Sequence, residues 1–194
     1  NMNPDGLDEL QEYRRQHVPL YNPNKMKLGV FGMNVSYGGT MTFAETSFKP
    51  TYSHNLEIAK KAEALGLEFL IFFGCWKSLG GKSDYNGDCL EVYIWVVVIV
   101  AQTERIMIFA TSHVPTVHPI VSAKQGATID HISNGRWGLN IVCGWYTPEM
   151  EMFGVTQMSH DDRYRYAAEW VEVVKRLWTE QHFDHSGEFF RVKD

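Results

Sequence analysis

From Lys27 onward the chain alternates short apolar runs with longer helical patterns, and this alternation restricts the fold more than any other feature. Lys27–Met33 reads as a buried strand, followed by a loop through Gly38-Gly39. Asn55–Leu65 carries Leu56, Ala59, Ala62 and Leu65 on one helical stripe, with Ser53 as its expected N-cap and Gly66 as its stop. Leu67–Phe73 reads as a second strand. Cys89–Gln102 is ambiguous: Asp88 and Glu91 have the spacing of a capping box, but Val96–Val100 is a β-branched run. Its uninterrupted length favours a buried helix. Arg105–Ala110 and Trp137–Val142 give two more strands, with a helix from Pro119 to about His131 between them. The clearest helix is Asp161–Thr179, whose expected apolar stripe is Tyr164, Ala167, Ala168, Val171, Val174 and Trp178. His182–Asp194 holds a turn at Ser186-Gly187 and a short strand pair. Such alternation implies an α/β fold with a parallel sheet and right-handed crossovers. An open doubly wound sheet and half of an eight-stranded barrel both satisfy it. The first strand lacks the glycine fingerprint of dinucleotide folds, which weakens the first option.

Composition narrows the class. Apolar residues make up 44% of the 194-residue chain, enough surface to bury a core and to exclude disorder. The longest strongly apolar run, Val92–Ala101, is about half of what a membrane span needs. A net charge of −5 lacks the basic footprint of a nucleic-acid binder. Cys75, Cys89 and Cys143 are odd in number and lack CxxC spacing, which suits reduced thiols in the cytoplasm. Residues 1–26 form a polar arm with a short helix expected near Leu7–Arg15; they show no secretory signal, and because Asn1 is not an initiator, residues upstream are expected.

Ligands of parallel α/β folds bind at the C-terminal ends of the strands. This rule selects Asn34 and Ser36, then Gly74, Cys75 and Trp76, then Thr111, Ser112 and His113, and finally Asn140, Cys143 and Trp145. His113 with His118, and His182 with His185, lack a carboxylate cluster, so solvated or capping histidines are expected and no metal site. No nucleophile elbow or paired base accompanies Cys75 or Cys143. The glycine pairs at Gly38-Gly39 and Gly80-Gly81 read as ordinary turns. Asn140–Tyr164 is a loop of unusual length that carries Trp145, Tyr146, Glu149, Phe153, Arg163 and Tyr164. Its aromatic and amide groups suit a planar, hydrogen-bonding ligand as well as they suit ordinary packing. Trp76, His113 and Trp145, each following a strand, are candidates for a substrate-pocket wall.

Several segments together are specific. The stretch from Asn34, Trp76–Gly81 (WKSLGG), Ala127–Arg136 (ATIDHISNGR), Leu139–Trp145 (LNIVCGW) and His160–Tyr164 (HDDRY) resemble the luciferase-like flavin-dependent monooxygenases. The pyrimidine and dimethylsulfone monooxygenase branches match the pattern best. The resemblance covers residues 27–194 and implies the N-terminal half of a TIM (β/α)8 barrel, about four βα units. It also implies reduced FMN (FMNH2) with dioxygen as co-substrate, a separate NAD(P)H-dependent flavin reductase, and a homo-oligomer. The substrate would be a small organosulfur compound or heterocyclic amide. Carried over by position, the flavin contacts fall on Gly74, Cys75, Asn140, Glu149, Arg163 and Tyr164. No catalytic residue is assigned. Two alternatives stand beside this expectation: a non-catalytic flavoprotein relative or assembly module pairing its half-barrel with another chain, and a metal-dependent barrel hydrolase, against which the missing ligand cluster argues; a deazaflavin-using relative is a variant of the leading expectation.

Overall fold

The computed structural model describes residues 4–194; the polar start at Asn1–Asn3 lies outside the described residues. The arm carries helix α1, Pro4–His17, longer at both ends than the sequence suggests. Four parallel strands follow in spatial order β1-β2-β3-β4: Gly29–Phe31, Phe69–Phe72, Met107–His113 and Trp137–Val142. The crossovers are α2 (Tyr52–Ala64), α3 (Val92–Val100) and α4 (Pro119–Ser133). A short helix α5 (Thr147–Met152), the long α6 (His160–Thr179) and the hairpin β5 (His185–Ser186) and β6 (Arg191–Val192) complete the chain. No helix of the described residues is long and apolar enough to cross a membrane.

Register sets the two faces of the sheet. Leu70 pairs with Ile108, and Ile108 with Trp137. Because side chains alternate, Leu70, Phe72, Ile108 and Ala110 share the face covered by helices. There they are fully buried with Ala59, Val96, Ile99 and Val100. Phe31, Phe69, Ile71 and Phe109 share the opposite face. A second core joins α4, α6 and the hairpin around Ala123, Ala167, Trp170, Val173, Val174 and Phe190. Trp170 anchors it by donating its ring N–H to the Val117 carbonyl at 2.9 Å.

The α3 segment is a helix, as expected from its length, although its β-branched residues favour strands. Burial against the sheet outweighs a propensity difference of a few tenths of a kcal/mol per residue. Its cap differs from the expectation. Glu91 itself accepts from the Tyr93 and Ile94 N–H groups, and Asp88 lies outside the helix. Helix α2 likewise starts earlier than expected. Thr51, not Ser53, accepts from His54 N, because the chain already turns helical at Tyr52. Its end is as expected: Gly66, at φ +82°, lets Leu67 N reach Ala62 O and its own N–H reach Glu63 O. Leu65 caps this turn and is exposed, so it leaves the expected stripe.

Three further expectations are corrected. The first strand is short and open rather than buried, because β1 has a neighbour on one side alone and Phe31 remains 54% exposed. The third strand runs through His113 instead of stopping at Ala110, since β4 continues to pair with it up to His113↔Val142. The α6 stripe is rotated. Tyr164, Ala168 and Trp178 are exposed, while Ala167, Trp170, Val173 and Val174 are buried. Apolar residues occupy more than one face of this helix, so its sequence alone leaves the buried face ambiguous.

Candidate active site

The C-terminal ends of β2, β3 and β4 meet the starts of α3 and α4. Asn34, fully buried, ties the first of these ends together. Its side chain accepts from Phe73 N at 2.7 Å and donates to Phe73 O at 2.8 Å and Leu90 O at 3.1 Å. One amide thus continues the β1–β2 ladder beyond the strands and pulls the entry to α3 onto it. Thr111 and Asn140 share the uncovered face of the sheet, opposite each other in register. Asn140 Nδ2 donates to Thr111 Oγ1 at 3.0 Å, and that hydroxyl donates to Phe72 O at 2.6 Å. A single hydrogen-bonded chain therefore links β4, β3 and β2. Gly74 fits against it because a Cβ there would lie 2.8 Å from Thr111 Cγ2 and 3.0 Å from Thr111 O.

A cavity of about 550 Å³ opens here, within the range of small-ligand sites. Gly74, Cys75, Trp76, Cys89, Tyr93, Ser112 and His113 are among its walls, and Phe153 closes one side against Trp76. Tyr93 hydroxyl lies 2.7 Å from Ser122 Oγ beneath it. Ser112 Oγ, buried in the wall, has no hydrogen-bond partner among the described residues.

Glu149 organises the loop after β2. It sits in α5, which divides the long loop that the sequence presents as irregular. The carboxylate is buried, and its Oε1 accepts from Trp76 N at 2.5 Å and Lys77 N at 3.3 Å. Its Oε2 faces His113 Nε2 at 3.8 Å, beyond hydrogen-bond range. Burial pushes the His113 pKa below its ordinary value, and the Glu149 charge offsets this only in part. His113 is therefore neutral at pH 7.

The remaining expected residues separate. Arg163, in the first turn of α6, donates to Gly144 O at 2.8 Å, where Gln157 also donates at 3.0 Å. Arg163 Nε is buried without a partner. Gly144 adopts φ +74°, and a Cβ there would sit 2.9 Å from Met150 Sδ, so glycine is required on both counts. Tyr164 is 58% exposed and leans on His160. Trp145 is 61% exposed against Tyr146 and does not line the cavity. The fold thus gathers Gly74, Cys75, Trp76 and His113, attaches Glu149, and reaches Asn140 through Thr111. It leaves Trp145, Arg163 and Tyr164 outside the cavity walls. Cys89 and Tyr93 were not anticipated from the sequence. The one available signal was positional, since a helix following a strand starts at that strand's C-terminal side.

The histidine pairs do not converge. His118 caps α4 by accepting from Ile120 N, His182 pairs with Asp194, and His185 pairs with Glu169. Among the described residues no three His, Cys, Asp or Glu side chains are placed to hold a metal.

Comparison with known proteins bears on the family and the fold. A family model described as luciferase-like monooxygenase matches residues 26–194. The pyrimidine monooxygenase RutA of Serratia proteamaculans (strain 568) is 37% identical over 173 residues, which cover 87% of this chain and 47% of the relative. The RutA of Bradyrhizobium sp. (strain BTAi1 / ATCC BAA-1182) is 36% identical over 87% of this chain and 48% of its own length. This chain therefore spans about half the length of the curated relatives it matches. Among solved structures, EDTA monooxygenase EmoA from Chelativorans sp. BNC1 superposes with a TM-score of 0.77 at 18% identity, over 87% of this chain and 45% of its own.

Proposed function

Because this chain belongs to the luciferase-like monooxygenase family, we propose that it is the N-terminal part of a two-component flavin monooxygenase. It would use FMNH2 and dioxygen to oxidise a small organic substrate, with flavin delivered by a separate NAD(P)H-dependent reductase. The pyrimidine named for its relatives favours a planar heterocyclic amide over an organosulfur compound. Three free thiols accord with a cytoplasmic location.

The observation that carries this reading is the ligand-sized cavity at the strand ends, beside the Asn140–Thr111–Phe72 chain. The residues present fit a flavin. Ser112 Oγ is a buried donor in the cavity wall without a protein partner among the described residues, and Gly74 and Cys75 line the same cavity, where their backbone can meet a flat ligand. When bound, reduced FMN supplies the activation of dioxygen. The chain's own residues do the rest. Asn140, its Nδ2 engaged with Thr111, would have its carbonyl oxygen free to accept a hydrogen bond from the cofactor. Gly74 and Cys75 offer backbone groups, held in place because Glu149 grips the next two N–H groups. Arg163 offers a cation near the end of β4, and the Tyr164 hydroxyl lies beside it in sequence. Neutral His113 and Trp76 wall the cavity.

The test is an FMN titration of the chain, oxidised and then anaerobically reduced, read by flavin absorbance and fluorescence. Asn140→Ala and Arg163→Ala are each expected to weaken binding about tenfold, the loss of one charge-assisted or buried hydrogen bond. A deazaflavin titration alongside identifies the cofactor. No saturable binding in either redox state, by this chain and by the full-length protein, would overturn the reading.

A second reading has its own observation. Strands β1 and β4 are open edges of the sheet, and the face carrying Phe31 and Phe109 has no covering layer among the described residues. Such a surface suits pairing with another chain, whether as a homo-oligomer or as a non-catalytic assembly module.

A further inference from the structure

Two thiols meet at the rim of the cavity. Cys75 lies just beyond β2, and Cys89 lies just ahead of α3. An antiparallel bridge between Val35 and Cys89, with the Asn34 amide holding both Phe73 and Leu90, draws these two points together. Cys89 Sγ lies 3.5 Å from Phe73 O. Cys75 Sγ donates to Lys77 O at 3.0 Å and accepts from Asn86 Nδ2 at 3.3 Å. Asn86, which holds the Cys75 sulfur, lies three residues before Cys89, so one short segment brings both cysteines to the same cavity. Both sulfurs are half-buried and line the same cavity, so a small solute can reach them. Cys143 lies beyond β4, apart from this pair.

The two thiols differ in character. The hydrogen bond from Cys89, together with that from Asn86, holds the Cys75 thiol below its ordinary pKa, although burial and the Glu149 charge oppose this. The neighbouring Cys75 and burial push Cys89 up. Burial pushes Cys143 up as well. The shared cavity wall places the two thiols together, and these opposite shifts favour Cys75 as the attacking sulfur and Cys89 as the protonated one.

We propose that Cys75 and Cys89 form a peroxide-reactive dithiol site, in which hydrogen peroxide oxidises Cys75 and Cys89 closes the product to a disulfide. In the first step the Cys75 thiolate attacks one peroxide oxygen. The S–O bond forms, the O–O bond breaks, and the departing hydroxide takes up the proton released from the thiol to give water. In the second step Cys89 sulfur attacks the Cys75 sulfenic acid. The S–S bond forms, the S–O bond breaks, and hydroxide leaves with the Cys89 proton as a second water. Two electrons pass from the thiols to the peroxide, and a dithiol reductant restores them. The disulfide ties together the two ends of the loop that carries Trp76 and removes the Cys75 contacts with Lys77 and Asn86. The inference stands on these residues alone and is independent of the flavin reading.

The test treats the fully reduced chain with hydrogen peroxide and follows free thiols, intact mass and cysteine peptides. Free thiols are expected to fall from three to one, with a loss of two hydrogens and a Cys75–Cys89 linked peptide. Cys143→Ser should leave that link unchanged. Cys89→Ser should stop Cys75 at a sulfenic acid that dimedone captures, and Cys75→Ser should leave Cys89 unmodified. Thiol alkylation of the untreated chain should reach Cys75 faster than Cys143, because the Cys75 thiol is held below and the Cys143 thiol above the ordinary value. A disulfide through Cys143, over-oxidation of Cys75 with Cys89 still free, or equal oxidation of all three thiols would overturn the proposal. The peptide map of the unaltered chain gives these answers even if a serine variant fails to fold.

Discussion

At the scale of single residues, Glu149 and His113 show how one buried carboxylate shapes a site. Glu149 holds the Trp76 and Lys77 N–H groups and faces a histidine that burial keeps neutral. The pH consequence follows from the sign of that shift. The unfolded chain binds a proton at His113 near pH 6.5, whereas the folded chain binds it only at lower pH. Stability should therefore fall as pH drops from about 6.5 toward the folded pKa. His113→Gln should remove this part of the slope, as measured by urea unfolding midpoints between pH 7 and pH 5. An unchanged slope would mean that His113 is protonated in the folded protein. The flavin titrations of Asn140→Ala and Arg163→Ala belong to the same scale, because each variant removes a single polar group from an otherwise intact frame. The sequence nominated Asn140, Glu149 and His113 through the strand-end rule and the family pattern. It did not show that Glu149 turns back to hold the β2 loop, since that contact spans 73 residues.

At the scale of elements, caps and docking contacts decide where each piece begins and sits. Thr51 caps α2, so Thr51→Ala should cost about 1 kcal/mol, whereas Ser53→Ala should be near neutral. Chemical denaturation of both variants distinguishes the observed cap from the one the sequence suggested. The arm offers an acid-sensitive contact. Glu68 accepts from Leu28 N at 2.8 Å, from Asn24 at 2.8 Å and from Asn22 at 3.2 Å. These bonds lower its pKa from 4.5 to about 2. The contact is complete above pH 4.5 and is lost as pH falls through about 2. Between those values the arm should loosen in the native protein but not further in Glu68→Gln, a difference that hydrogen exchange at Leu28 would report. Helix α3 was legible against its own propensity because an uninterrupted apolar run of that length exceeds an ordinary strand. The rotation of α6 was not, because its aromatic residues lie on both sides of the true stripe.

At the scale of the molecule, four βα units make a sheet with one face covered and one face open among the described residues. The open face carries Phe31, Phe69, Ile71 and Phe109, and the polar ends Thr111, His113 and Asn140 crown it. Apolar strand edges of this kind associate. The 194-residue chain should therefore form concentration-dependent oligomers in sedimentation velocity. Phe31→Lys, at the open edge, should shift them toward monomer. A monomer at all concentrations would remove the assembly reading.

The sequence by itself determined the strand–helix order, the parallel sheet and the family, because hydrophobic period, glycine stops and the ATIDHISNGR and LNIVCGW segments are local patterns. It also pointed to the C-terminal end of the sheet, where the cavity opens, since chain direction fixes which strand ends carry the loops. Only the tertiary structure decided which residues share one cavity. Cys75 met Cys89, and Trp76 met Glu149, through strand register and buried side-chain bonds between segments far apart in the chain. Such contacts depend on how elements pack in three dimensions, and no local period records them.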